Sequence, residues 1–197
     1  NAECTVEYLL QFAYLGSYYA QKVLGVENPR IGLLNIGAEE SKGDTLRRET
    51  YQKLKEAGEA GHLNFTGNIE AKEAMLGECD VIVADGYSGN IMLKSIEGTG
   101  KLLSIKLKDM LMHSTGTKLA ALLLKGQLGD FKKMLDANEV GGTALLGISK
   151  PVVKAHGSAS EVGIGNAVRQ AMEVARSGII DDIAQNIDKM RIEQKAE

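Results

Sequence analysis

The sequence contains little cysteine and proline. Only two cysteines, Cys4 and Cys79, occur in 197 residues, and neither belongs to a CxxC or Cys/His cluster. A disulfide framework and a zinc site are therefore not expected, and a reducing cytoplasm is the expected location. Because there are two prolines and no low-complexity tract, the 23 glycines are expected at turns and ligand loops and not in linkers.

Two further absences exclude classes of protein. The formal net charge is -3, whereas a general nucleic-acid binder is clearly basic, so nucleic acid is not an expected partner. No apolar run approaches the roughly 18 residues that a membrane-spanning helix needs. With 44% apolar and 25% charged residues, the composition is that of a globular domain.

The sequence also lacks the common phosphate-binding signatures. There is no G-x-x-x-x-G-K-[ST] segment, which disfavours a P-loop nucleotidase. Gly163 and Gly165 lie inside a predicted helix without a third spaced glycine, so a dinucleotide fingerprint is absent as well. The carboxylates show no metal-ligand spacing, and neither a metal nor a cofactor is expected.

Short apolar runs alternate with segments of helical periodicity. Strands are predicted at 30–36, 63–66 and 81–84, the second broken by Gly67, and helices at 6–24, 45–57 and 69–76. Thr5 and Asp44 are the predicted N-caps of the first two helices. Strands separated by helices predict an α/β fold with a doubly wound, mainly parallel sheet.

The segment VIVADGYSGN at 81–90 is interpreted as a buried strand and a tight turn before a helix that begins at Ile91. Ligands bind at such junctions in open α/β folds, and helix-start amides near Gly89 and Asn90 would favour an anion. Lys94, one turn into the helix, is close enough to reach a bound phosphate or to be solvated. Asp85 is interpreted either as an acid/base group or as an acceptor that holds the loop. The alternative is an ordinary turn made by glycines.

A second polar junction, PVVKAHGS, lies at 151–158, after a glycine-rich link and a strand or extended lid at 144–148. His156 lies between Lys154 and a helix predicted at 160–177, which makes a catalytic role as plausible as a structural one. Ser158 and Glu161 fit an S-x-x-E capping box for that helix. Ser158 is better explained as a cap than as a nucleophile, because no G-x-S-x-G elbow surrounds it.

Residues 91–139 are predicted to form a helical arm, broken near 98–100, 114–116 and Gly126, between α/β core segments at 1–90 and 140–197. Within it, 101–133 hold seven lysines and two aspartates, a net charge of +5, around an apolar tip at 119–124. This pattern fits a dimerisation hairpin, a dock for an acidic protein, or contact with an anionic membrane surface. A helix pair with a solvated lysine face is the alternative. A last charged helix is predicted at 180–196.

Five segments together resemble one family: NIGAEESKG at 35–43, FTGNIE at 65–70, ADGYSGNIMLKSIEG at 84–98, GGTALLGI at 141–148 and PVVKAHGSA at 151–159. In this order and spacing the sequence resembles the phosphate acyltransferases of bacterial phospholipid synthesis, the acyl-carrier-protein:phosphate transacylases called PlsX. The resemblance covers the carboxy-terminal part of the family chain. We therefore expect the sequence to belong to a longer polypeptide, and the 197 residues alone to be weakly active or inactive.

The resemblance implies a fold similar to isopropylmalate dehydrogenases and phosphotransacetylases. It implies a reaction that joins orthophosphate to a long-chain acyl group from acyl carrier protein, giving acyl phosphate for phosphatidic acid synthesis by a downstream glycerol-phosphate acyltransferase. It further implies a homodimer in the cytoplasm, peripherally associated with the inner face of the membrane. Two other functions stay open: phosphotransacetylase-like transfer from acyl-CoA, and a non-catalytic membrane or assembly module.

The family motifs also suggest which positions act in the site. The expected catalytic residues are His156, Lys154 and Asp85. Phosphate or substrate binding is expected from glycine, amide, hydroxyl and lysine positions of the same motifs: Gly86, Gly89, Asn90, Lys94, Gly157, Ser158, Asn35 and Gly37. Contact with the carrier protein or the membrane is expected from the arm, at Lys118, Leu122, Leu123 and Lys125.

Overall fold

The computed structural model describes residues 1–192, with the side chains of 137 and 138 excepted. The chain divides into two compact units. The sheet unit comprises residues 1–89 and 145–151 with the described part of 172–197, and the helical unit comprises 90–144 and 152–171. The predicted division into a core and an arm stays a prediction.

The sheet unit is built on three parallel strands, β1 (Arg30–Leu34), β2 (Asn64–Ile69) and β3 (Val81–Val83), in the order β2-β1-β3. Three helices connect or precede them: α1 (Val6–Lys22), α2 (Thr45–Glu59) and the short α3 (Ala71–Met75). Apolar residues of β1, α1 and α2 form the core, among them Ile31, Leu33, Leu9, Ala13 and Leu54. The predicted α/β fold with a parallel sheet is confirmed, and it agrees with a doubly wound arrangement.

The two predicted N-caps are confirmed. The Oγ1 of Thr5 accepts a hydrogen bond from the N–H of Tyr8 at 3.3 Å, and Oδ1 of Asp44 accepts one from the N–H of Arg47 at 2.9 Å. A side-chain oxygen at this position satisfies an amide that has no partner inside the helix. The predicted end of α2 at residue 57 is two residues too early, because the helix continues to Glu59.

The predicted break of the second strand at Gly67 is wrong. The strand continues to Ile69, because β2 carries one extra residue opposite β1: Ile31 pairs with Phe65 and Gly32 with Gly67. Gly67 has a φ of 104°, which side-chain-bearing residues rarely adopt, and this conformation accommodates the bulge. The Oγ1–H of Thr66, the extra residue, donates to the carbonyl of Ile31 at 3.0 Å.

Helices dominate the next part of the chain: α4 (Gly86–Leu111), α5 (Thr115–Leu123), α6 (Lys125–Met134) and α7 (Ala137–Val140). The predicted break near 98–100 is wrong, because α4 continues through both glycines, each of which costs only about 1 kcal/mol relative to alanine. The break near 114–116 is confirmed, where Ser114 caps α5. The next break lies at Leu124, whereas Gly126 is inside α6.

A two-stranded antiparallel sheet pairs β4 (Gly142–Ala144) with β5 (Val153–Ala155). The predicted strand or lid at 144–148 therefore lies earlier, at β4. Helix α8 spans Glu161–Arg176, close to the predicted 160–177. The Ser158 capping box is wrong: Oγ of Ser160 accepts from the N–H of Gly163 at 3.3 Å, and Glu161 is already the first helical residue.

The predicted final helix at 180–196 is shorter than expected. Helix α9 (Ile179–Gln185) is followed by a 3₁₀ turn (Ile187–Met190), and 193–196 lie outside the described residues. An ion pair of 2.7 Å between Lys22 and Asp182 joins α9 to α1. Among the helices of residues 1–192, none has the length and apolar character needed to cross a membrane.

Candidate functional site

A cleft opens in the sheet unit near the carboxyl end of β3, where the chain enters α4. It has a volume of about 470 Å³. Its lining combines small, apolar and charged side chains: Ala2, Glu3, Cys4, Leu46, Arg47, Asp85, Tyr87 and Ser88. Clefts at the carboxyl ends of parallel strands are the usual ligand sites of open α/β folds, so this is the candidate site of the unit.

Asp85 organises the start of α4, which begins at Gly86 and not at Ile91 as predicted. Its Oδ1 accepts hydrogen bonds from the N–H groups of Tyr87 and Ser88, at 3.0 and 2.8 Å, and its Oδ2 accepts from the Ser88 hydroxyl at 2.9 Å. Turn-forming residues at 86–90 therefore fold as helix, because the Asp85 carboxylate satisfies the first amides.

The amides at the start of this helix have partners within the chain. The N–H of Gly86 donates to the carbonyl of Asn1 at 2.6 Å, and that of Gly89 donates to the carbonyl of Asp85 at 2.9 Å. The expected helix start near Gly89 and Asn90 is therefore wrong. Substrate binding by Gly86, Gly89 and Asn90 stays a prediction.

Arg47 is a charged residue of this site that the sequence analysis did not identify. Its Nη2–H donates to Oδ2 of Asp85 and, at 2.9 Å, to the Ser88 hydroxyl, while Nη1–H donates to Oδ2 of Asp44 at 2.8 Å. The Arg47 side chain is 16% exposed and that of Asp85 only 7%, whereas that of Asp44 is 58% exposed. One guanidinium thus joins the N-cap of α2 to the N-cap of α4.

Burial opposes ionisation of the Asp85 carboxyl, but hydrogen bonds outweigh it. The N–H and hydroxyl of Ser88, the charge of Arg47 and the N–H of Tyr87 together hold the pKa of Asp85 below its ordinary value. Asp85 is therefore an ionised acceptor at neutral pH. Of the two interpretations of this residue, its contacts favour the one in which it holds the loop.

Asn35 and Gly37 shape the loop that follows β1. The Asn35 side-chain amide donates to the carbonyl of Lys42 at 3.1 Å, and its Oδ1 accepts from the N–H of Ile36 at 2.8 Å. Gly37 is buried where a Cβ would lie 3.0 Å from Oε2 of Glu39. Both residues have a structural role in this loop, and their substrate contacts stay predictions.

In the helical unit, His156 is hydrogen-bonded to Ser158. The Oγ of Ser158 lies 2.9 Å from Nδ1 of His156, and the N–H of Ser158 donates to the same nitrogen at 3.2 Å. A backbone N–H can only donate, so Nδ1 accepts and we assign the proton of the neutral ring to Nε2. The ring is exposed, so this proton is available to a ligand.

Lys154 belongs to β5, opposite Thr143 of β4, and His156 directly follows the last residue of that strand. Lys94 has a different environment, since its Nζ pairs with Oε2 of Glu97 at 2.8 Å on an exposed surface. The arm positions Lys118, Leu122, Leu123 and Lys125 are all exposed.

The structure brings Asp85 together with Ser88, and His156 with Ser158. These two pairs lie in different units, so their combination in one site stays a prediction. Across residues 1–192, no three or more histidine, cysteine, aspartate and glutamate side chains form a group suited to a metal ion.

The fold and the cleft define an α/β protein with a ligand site at a strand-to-helix junction, and comparison with known proteins supplies the family. The model of the family described as "Fatty acid synthesis protein" matches residues 1–182. The chain belongs to this family, and the resemblance noted from its motifs is confirmed.

Similar curated proteins include the phosphate acyltransferases of Staphylococcus aureus strains bovine RF122 / ET3-1, MSSA476 and MW2. Each is 46% identical to this chain over 187 residues, which make up 95% of this chain and 56% of the relative. The chain thus spans 56% of the length of these relatives.

Proposed function

We propose that this chain is part of a phosphate acyltransferase that transfers a long-chain acyl group from acyl carrier protein to orthophosphate, for phosphatidic acid synthesis. The observation that carries the proposal is the 46% identity to proteins named phosphate acyltransferase over 95% of the chain. Both polar junctions, at 81–90 and 151–158, lie within the stretch that the family matches.

The reaction balances without a covalent enzyme intermediate. An oxygen of hydrogen phosphate attacks the thioester carbonyl carbon, the carbon–sulfur bond breaks, and the proton that the phosphate loses passes to the sulfur of the carrier. The protein must orient the two reactants, stabilise the oxyanion and move one proton. This agrees with the absence of a nucleophile elbow around Ser158.

His156 and Lys154 suit these tasks. His156 can relay this proton: Nδ1 takes up, through the Ser158 hydroxyl, the proton that the phosphate loses, while Nε2 gives its own proton to the departing sulfur. Lys154, two residues before His156, brings a positive charge to the phosphate or the oxyanion. Asp85 acts as a positioning residue, since its carboxylate holds Arg47 and the start of α4.

The remaining positions of the two motifs, together with Asn35 and Gly37, are proposed substrate contacts. These are Gly86, Gly89, Asn90, Lys94, Gly157 and Ser158.

The exposed leucines and lysines of α5 and α6 are proposed to contact the acidic carrier protein or the inner face of the membrane, in a homodimer. Charge reversal by Lys118→Glu with Lys125→Glu should weaken binding both to acyl carrier protein and to anionic liposomes in a sedimentation assay. Lys150→Glu, an exposed lysine of the sheet unit, is the matched control. If the double variant binds both as the parent does, this contact is excluded.

The proposed activity is tested with a polypeptide of the relatives' full length that contains this chain. Release of the carrier thiol from acyl carrier protein should require orthophosphate and should be faster than release of coenzyme A from acyl-CoA. The reverse preference favours a phosphotransacetylase-like enzyme. A lack of phosphate-dependent release from either donor favours a non-catalytic module.

A variant tests the proton donor. His156→Gln should lower kcat by about 10² or more, because a positioned general acid contributes about 10²–10⁴. His113→Gln, an exposed histidine between α4 and α5, should leave kcat unchanged. An unchanged kcat for the His156 variant contradicts the assignment.

A further inference from the structure

The cleft of the sheet unit is large enough for a ligand and has both polar and apolar walls. Its volume of about 470 Å³ falls within the range of small-molecule sites. Three of the residues that line it have apolar or weakly polar side chains: Leu46, the exposed Tyr87 and the half-buried Cys4. Glu3 and Ser88 add oxygens at its edge.

The charges around the cleft disfavour phosphate. The lining contains two carboxylates, Glu3 and Asp85, and one cation, Arg47. Arg47 is already shared between Asp85 and Asp44, so its charge is more than neutralised. A phosphate dianion in this cleft would therefore face net negative charge at close range.

The backbone gives no compensation. Phosphate sites at helix starts depend on unpartnered N–H groups. Here the amides of Tyr87 and Ser88 donate to Oδ1 of Asp85, and that of Gly86 donates to the carbonyl of Asn1. Phosphate would have to displace a buried, ion-paired carboxylate to reach them.

A neutral chain with amide N–H groups and methyl groups matches these walls better. Its N–H groups can donate to the carboxylate of Glu3 and the hydroxyl oxygen of Ser88, and its methyl groups can pack on Leu46 and Tyr87. Acyl carrier protein and coenzyme A both carry their thioester on an arm of this chemistry, which is uncharged apart from its terminal phosphate.

We propose that this cleft binds the neutral, amide-bearing arm that carries the acyl thioester, and that orthophosphate binds elsewhere. The inference rests on the proposed function, since it divides the two substrates of that reaction. It assigns Leu46, Tyr87 and Glu3, which are not among the site residues expected from the sequence, to recognition of the acyl donor.

Alkylation of Cys4 reports occupancy of the cleft. N-ethylmaleimide labelling is followed by peptide mass spectrometry in the 197-residue chain, with the buried Cys79 as internal control. N-propylpantothenamide, a thiol-free analogue of the arm, should slow labelling of Cys4 about threefold at about twice its Kd, because the free fraction is then one third. Orthophosphate at the same concentration should have no effect.

A fluorescence readout avoids cysteine chemistry. The chain has no tryptophan, so Tyr87→Trp introduces a single probe into the cleft wall, and Tyr8→Trp on α1 is the matched control outside it. The pantothenamide should change emission of the first variant saturably and of the second not at all. The inference is overturned if phosphate protects Cys4 or changes the emission of the Tyr87→Trp variant. It is also overturned if the pantothenamide has no effect in either assay.

The acyl-transfer assay separates this inference from the proposed function. If the full-length polypeptide transfers acyl groups to phosphate and the pantothenamide has no effect in either the labelling or the fluorescence assay, the cleft assignment alone is wrong. If the pantothenamide protects Cys4 but phosphate-dependent transfer is absent, the cleft binds such an arm and the proposed reaction is wrong.

Discussion

Asp85→Asn and Asp44→Asn form a matched pair of substitutions at Arg47. Both aspartates are N-caps, and both accept hydrogen bonds from the same guanidinium, that of Arg47. Because asparagine is also a good N-cap, each substitution removes mainly a negative charge. The two positions differ in burial, since the Asp85 side chain is 7% exposed and that of Asp44 is 58% exposed. The pair therefore tests whether burial determines the energy of these contacts.

The expected magnitudes follow from the two environments. An exposed ion pair contributes about 0.5 kcal/mol, so Asp44→Asn should lower the free energy of unfolding by about that amount. Loss of one partner from a buried pair costs about 3–5 kcal/mol. Because Arg47 is 16% exposed and keeps Asp44, we expect a smaller loss of about 2 kcal/mol for Asp85→Asn.

Tyrosine fluorescence during urea unfolding measures this difference in the relevant unit. All six tyrosines lie within residues 1–89, and the chain has no tryptophan, so the signal reports the sheet unit. The expected difference between the variants, about 1.5 kcal/mol, is more than a tenfold difference in the unfolding equilibrium constant. Equal losses, or a larger loss for Asp44→Asn, would refute the argument that the buried pair organises this site.

Three further predictions concern stability. Gly32 lies in the middle strand, and in Gly32→Ala the added Cβ would lie 2.7 Å from Cγ2 of Ile69 and 3.3 Å from the Cys79 sulfur. Urea unfolding should therefore show that the free energy of unfolding falls by about 1–3 kcal/mol. Gly98→Ala meets nothing within 4 Å inside α4 and should raise the helical thermal midpoint by circular dichroism, as a gain of about 0.5–1 kcal/mol; a loss would contradict the continuous helix. The Arg30 guanidinium lowers the pKa of Asp80 from 3.8 to about 2, which stabilises the fold above pH 3.8 and is lost as the pH falls through 2. Asp80→Asn should therefore cost about 1 kcal/mol at pH 7 and less at pH 3, and a cost that does not change with pH would contradict this.

Local patterns in the sequence were sufficient to locate the first three helices and the three strands of the sheet unit, although not all of their ends. Thr5 and Asp44 could be assigned as caps because a cap and its helix are neighbours in sequence. Strands β1 and β3 could be located because each is a short run of mainly apolar residues that are consecutive in the sequence. Gly67 was misread because the bulge it accommodates depends on pairing with β1, which lies more than thirty residues away along the chain.

The candidate site depended more on distant contacts. The motif Asp85-Gly86-Tyr87-Ser88 could be identified, but its residues resemble a turn, and the helix forms because the buried carboxylate caps it. Arg47 carried no recognisable signal, since its partner Asp85 is 38 residues further along the chain. The Ser158 interpretation was wrong because Ser160, two residues later, offers an equivalent cap, and only the geometry distinguishes them.

Phosphorus NMR of the reaction tests the central claim most directly. A polypeptide of the relatives' full length is incubated with acyl-[acyl carrier protein] and orthophosphate, and the carrier thiol is measured in parallel. We predict an acyl phosphate resonance that grows in step with free thiol and does not appear when orthophosphate is omitted. Thiol release that is independent of phosphate, or no acyl phosphate from either acyl carrier protein or acyl-CoA, would contradict the proposed function.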